Sequence, residues 1–121
     1  YVVLHGNPDV ILCLRGVRSG DASRFLRYTP DIAAIPALKH ESNLPVLFDP
    51  SHATGDRRYV RSMALAAVAA GADGLLIETH QVPDQAWSDG RQCVDPPTLA
   101  RIVQDARKIE AVRSPEVVDP V

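Results

Sequence analysis

The feature that most constrains this chain is a repeated unit: a short apolar run, then polar residues, then a helix-like stretch, recurring at roughly 30 residues. The runs at residues 10–14, 46–48 and 75–77 are rich in Val, Ile, Leu or Phe and too short for independent helices. They read as buried strands. Helix-like segments follow at about 31–40, 58–70 and 97–112. Strands alternating with helices at this repeat imply an α/β fold with parallel strands and right-handed crossovers, in an open sheet or a barrel. Three strands leave unpaired edges and make a poor stand-alone sheet.

Local punctuation agrees with this order. Gly6-Asn7-Pro8 breaks the chain before the first strand, Asn43-Leu44-Pro45 leads into the second, and Gly71-Ala72-Asp73-Gly74 ends a helix before the third. Pro96 and Pro97 mark the start of the last helix with Asp95 as its N-cap, and Leu99, Ile102, Val103, Ala106 and Ile109 follow the 3.6-residue period. That helix should pack on the sheet. The domain is expected over residues 1–113, with 114–121, which carries two prolines, two acids and no periodicity, as a loose tail. The chain opens on Tyr1 and an apolar segment without cap or turn, which reads as a piece of something longer.

A formal net charge of −2, from 13 basic and 15 acidic residues, offers no excess positive charge to a nucleic acid or an anionic membrane. No apolar stretch reaches the roughly 18 residues a membrane span needs. Cys13 and Cys93 have no CxxC spacing, so a reducing, cytoplasmic setting is the default. Cys13 reads as core, as do Met63 and the lone tryptophan, Trp87. His5 and His40 read as surface residues, and Arg57-Arg58 as a solvated helix start.

Each apolar run ends in polar residues: Arg15 and Arg18 after the first, Asp49, Ser51 and His52 after the second, Glu78 and His80 after the third. In parallel α/β folds the loops at the C-terminal ends of the strands converge on one face, so these residues would share a site. Two-residue alternation puts Glu78 and His80 on one strand face with Leu76. His52, Glu78 and Asp89 supply the imidazole nitrogen and carboxylate oxygens that a borderline divalent cation accepts. Each also has a plainer reading, as a loop histidine, an arginine-paired glutamate and a turn aspartate in Asp89-Gly90.

As a set, the residues resemble a known superfamily. Gly6-Asn7, Arg15-Gly16-Val17-Arg18, Asp49-Pro50-Ser51-His52-Ala53-Thr54-Gly55, Ala70-Gly71-Ala72-Asp73-Gly74, Ile77-Glu78-Thr79-His80 and Ser88-Asp89-Gly90 stand in the order seen in 3-deoxy-D-arabino-heptulosonate 7-phosphate (DAHP) and Kdo-8-phosphate synthases. The Asp-Pro-Ser-His-Ala-Thr-Gly run is most similar to the short, type I beta DAHP synthases. The Kdo-8-phosphate enzymes, usually Asp-Ala-Thr-His there, are the runner-up.

The resemblance implies the C-terminal portion of a (β/α)8 TIM barrel, about strands six to eight. It implies a metal-dependent transferase condensing phosphoenolpyruvate with erythrose 4-phosphate, the first step of the shikimate pathway to chorismate and the aromatic amino acids. His52, Glu78 and Asp89 would ligate Mn, Fe, Co or Zn, with a cysteine from outside this chain as fourth ligand. Arg15 and His52 would be catalytic, and Asp49, Ser51 and Arg18 would join them in binding substrate. The missing N-terminal barrel portion would supply the other phosphate sites, the full-length protein would be a homo-oligomer, and this chain by itself would be inactive. A non-catalytic barrel portion acting as an interaction module is the contrasting reading.

Three departures from the family pattern sit near the expected substrate face: Leu14 for the usual acid before Arg15, Tyr28 and Pro30 within Arg27-Tyr28-Thr29-Pro30-Asp31, and Arg91 for the usual proline after Gly90.

Overall fold

The computed structural model describes residues 1–18 and 26–113; the stretch read as a tail lies outside them. Strands β1 (Leu12–Leu14), β2 (Val46–Phe48) and β3 (Gly74–Leu75) form a parallel sheet in that order. Helix α1 (Ala34–Glu41) joins β1 to β2, α2 (Pro50–Thr54) and α3 (Arg57–Ala69) join β2 to β3, and α4 (Pro96–Val112) follows. The order and the parallel sense match the sequence expectation.

Register decides what is buried. Leu12 pairs with Val46, Leu14 with Phe48, and Phe48 with Leu75, so these side chains share one face. There they meet Ile35 of α1 and Ala67 of α3 in a core whose centre, Val46, Phe48 and Ile35, is fully excluded from solvent. Burying a side chain of this size contributes about 1.5–3 kcal/mol. A second cluster of Val60, Ala64, Val94 and Ile102 seats α4 against α3, with Leu75 and Ile77 of the third strand region against it.

The helix ends follow from their caps. Asp95 accepts the Thr98 N–H at 2.9 Å and Pro96 occupies the first helical position, so α4 starts as its sequence dictates. At the end of α3, Gly71 adopts φ +108°; its N–H reaches the Val68 carbonyl and that of Ala72 the Ala67 carbonyl, a Schellman pair that turns the chain into β3. Arg113 then donates to the Val68 carbonyl at 2.9 Å, tying the end of α4 to that of α3.

Several expectations are corrected. The first strand starts at Leu12, because the Val10 N–H is spent on Pro8 in a turn. The third ends at Leu75: Leu76 still donates to Phe48, but β2 stops there and turns into α2, leaving 76–78 no ladder. Helix α1 starts at Ala34, whose N–H is taken by the Asp31 carboxylate. Helix α2 itself escaped the sequence reading.

Cys13 is exposed, not core, because alternation points it to the face opposite Leu12 and Leu14, which pack on the core. The same alternation turns Leu14 toward the core. Trp87 is fully exposed on the loop before α4, and Val103 is 40% exposed rather than packed on the sheet. Met63 does pack on the core, and His5 and His40 are exposed. No helix among the described residues is long and apolar enough to cross a membrane.

Candidate functional site

The site grows from the C-terminal end of β2. Asp49 leaves the strand with its N–H on the Leu14 carbonyl and becomes the N-cap of α2, accepting the His52 N–H at 2.9 Å. Pro50 at the first helical position and Gly55 just past the end frame this one turn. The Asp49 carboxylate is fully buried, and its second oxygen takes both the His52 ring Nδ1, at 2.7 Å, and the Arg15 Nε, at 3.1 Å.

A carboxylate only accepts, so Nδ1 carries the proton and Nε2 of a neutral His52 keeps its lone pair. That Nε2 stands 3.3 Å from the Glu78 Oε1. Two lone pairs facing at that distance need a positive charge between them, a proton on Nε2 or a cation.

Glu78 is placed from three sides. Its N–H donates to the buried Ser51 hydroxyl at 3.0 Å, its carbonyl accepts from Val94, and its Oε2 accepts from the Gln92 amide at 3.0 Å. Asp89 comes from the loop before α4, at φ +53° in a turn closed by the Gln92 N–H on the Asp89 carbonyl. Its Oδ1 accepts from Arg27 at 3.1 Å. One donor atom each from His52, Glu78 and Asp89 lies within 4.8 Å of the others. Imidazole plus two carboxylates suits a borderline divalent cation, and the lone-pair opposition gives it a reason to sit there.

The Asp89 loop is fastened to the start of α3. Arg57 donates from its backbone to the Arg91 carbonyl at 2.9 Å and from its guanidinium to the Gly90 carbonyl at 2.8 Å, and pairs with Asp84. Beside it, Asp56 caps α3 and gathers Arg58 and Arg91; chiefly the Arg58 guanidinium holds its carboxyl well below the usual range. Burial, with Glu78 and Asp89 nearby, pushes the Cys93 thiol up. It lies 3.9 Å from the Glu78 Oε2 but is not among the three clustered donors.

Of the residues picked from sequence, His52, Glu78, Asp89, Arg15, Asp49 and Ser51 are thus brought together. Asp49 and Ser51 are fully buried, with their polar atoms turned to groups of the chain itself. Arg18 is exposed beyond β1, and His80 bonds the Val82 backbone, where it lines an open cleft of about 560 Å³ with Glu78 and Trp87. Arg27, Arg57 and Gln92 were not singled out for a role. Their partners lie 14 to 65 residues away, and no local pattern announces such contacts.

A parallel α/β sheet with a histidine and two carboxylates converging beyond its C-terminal strand ends has the layout of a catalytic α/β fold. Residues 1–111 match the model of the DAHP synthetase I family, and the chain belongs to that family. It is 41% identical over 109 residues to a phospho-2-dehydro-3-deoxyheptonate aldolase of Thermotoga maritima, covering 90% of this chain and 32% of that protein. It is 36% identical over 114 residues to a 2-dehydro-3-deoxyphosphooctonate aldolase of Bartonella bacilliformis, covering 85% of this chain and 39% of that protein. Among solved structures, a truncated form of the 3-deoxy-D-arabino-heptulosonate 7-phosphate synthase from Thermotoga maritima superposes with a TM-score of 0.87 at 40% identity, over 92% of this chain and 42% of the other. The chain therefore spans well under half the length of the relatives it matches.

Proposed function

We propose that this chain forms the metal-facing, phosphoenolpyruvate-facing C-terminal portion of a DAHP synthase barrel, the remaining strands covering the free edges of β1 and β3. The observation that carries this reading is the convergence of His52, Glu78 and Asp89 within 4.8 Å, with the His52 ring oriented by Asp49. In the reaction, C3 of phosphoenolpyruvate would join the aldehyde carbon of erythrose 4-phosphate, water would add at C2 and phosphate would leave.

When bound, a divalent cation supplies Lewis-acid polarisation of the aldehyde oxygen. The chain's own residues do the rest. Arg15 spends its Nε on Asp49 while its side chain is 53% exposed, so its terminal nitrogens remain to pair with a carboxylate or phosphate of phosphoenolpyruvate. Asp49 and Ser51, both buried, act as positioning residues: Asp49 aligns His52 with Arg15, and Ser51 holds the Glu78 backbone.

The product names of the relatives frame the substrate question, since a seven-carbon acid needs a four-carbon aldose phosphate and an eight-carbon acid a five-carbon one. The family model and the match at 41% identity favour the four-carbon partner, and the eight-carbon reading is the weaker. Assaying the intact protein for phosphoenolpyruvate loss with each aldose phosphate, with and without chelator, tests this. Metal-dependent turnover with erythrose 4-phosphate, abolished in His52→Ala, is expected; preference for the five-carbon aldehyde, or turnover indifferent to chelation, would overturn the reading.

A further inference from the structure

We infer that Gln92 is a positioning residue that sets the geometry of both carboxylates in the cluster, an inference that rests on the metal-site reading of His52, Glu78 and Asp89. Gln92 is only 2% exposed, and the two ends of its side-chain amide face opposite chemistry. Its Nε2 donates to the Glu78 Oε2 at 3.0 Å, and its Oε1 accepts from the Arg27 Nη1 at 3.3 Å. A carboxylate can only accept and a guanidinium can only donate, so the partners themselves fix which end of the amide points where.

The consequence for Glu78 is orientation. The last torsion of a glutamate is broad, and a carboxylate left to itself samples a wide arc. With Oε2 held by Gln92, Oε1 is the oxygen presented to the His52 Nε2 at 3.3 Å. The consequence for Asp89 runs through Arg27. The same Nη1 that meets Gln92 donates to the Asp89 Oδ1 at 3.1 Å, so the amide braces the guanidinium that braces the aspartate. The Gln92 backbone adds to this, because its N–H closes the turn that carries Asp89 at positive φ. One buried side chain thus links two carboxylates that come from different loops.

Glutamine is matched to this place. Glutamate would set a third negative charge against Glu78 and lose the donor; methionine keeps the length and loses both bonds. Groups that orient metal ligands are worth about 10- to 100-fold in metal affinity.

The test measures Co²⁺ binding to the intact protein by chelator competition, alongside the Co²⁺ absorption spectrum and the melting temperature without metal. Gln92→Met is expected to weaken Co²⁺ binding by about 10- to 100-fold and to change the spectrum. Gln92→Asn keeps the amide but is one methylene too short to span Glu78 and Arg27; it serves if the methionine variant folds poorly, and an intermediate loss is expected. A lower metal-free melting temperature with Co²⁺ affinity and spectrum unchanged would show a structural role only and overturn the inference. Wild-type protein that takes up no Co²⁺ would instead sink the metal-site reading, and the inference with it.

Discussion

His52 and Asp89 face the same point in space but are held there by opposite means. His52 stands on a helix turn, pinned by a carboxylate with no solvent exposure and itself 17% exposed. Asp89 stands on a loop, at 34% exposure, paired with an Arg27 that is 46% exposed. Around the first, charge is buried and fully hydrogen-bonded, where losing one partner strands the other. Around the second, the ion pairs are wet, individually worth about 0.2–1 kcal/mol and screened by salt. The difference separates a fixed reference from an adjustable arm: the imidazole defines where a cation would sit, and the aspartate is brought to it by a loop that α3 holds.

The comparison can be broken most severely on the dry side. Asp49→Ala removes the ring anchor, the Arg15 partner and the α2 cap together. Metal affinity is expected to fall by about 100-fold or more, with about 0.5–2 kcal/mol of stability lost from the cap; chelator competition and thermal unfolding would measure the two. If the loss is no larger than that of an Asp89-side variant, the asymmetry is wrong.

On the wet side, Arg57→Ala frees the Gly90 carbonyl and breaks the Asp84 pair, while the backbone bond from residue 57 to the Arg91 carbonyl stays in place. Metal affinity should drop by less than about tenfold, and hydrogen exchange should rise across residues 83–92 while 49–54 stays protected.

Acid sharpens the contrast more gently. Asp56 has its pKa lowered in the fold, chiefly by Arg58, so its contribution is present above the unfolded aspartate value of about 3.9 and fades as pH falls toward the folded value. A pH titration of unfolding should show the start of α3 loosening only below about pH 4. Smallest of all, raising ionic strength from 0.1 M to 1 M shortens the screening length from about 10 Å to about 3 Å. Exchange should quicken slightly in the Asp89 loop and not at all around Asp49.

The two sides also differed in how far the sequence disclosed them. Strand β2 appears at the residues its apolar run marked, because a strand buried on its core face at both ends and half-buried between needs little but a continuous apolar segment. His52 and Glu78 follow directly on strands and carry a recognisable local run. Helix α2 was missed because one turn is too short for periodicity, although Asp49, Pro50 and Gly55 spell a start and a stop. Gln92 and Arg27 meet only when two distant loops fold together. Trp87 shows the limit of composition, since an aromatic side chain says nothing about which way its loop turns.

One carboxylate, that of Asp49, closes a helix, neutralises an arginine and aims an imidazole. Its neighbours therefore cannot drift independently: a change at this position breaks three relations in one step, and no single replacement elsewhere restores more than one of them. Such a residue acts as a lock on substitution. Tolerance should concentrate instead among the exposed arginine pairs of the 83–91 loop, where a lost contact leaves the others standing.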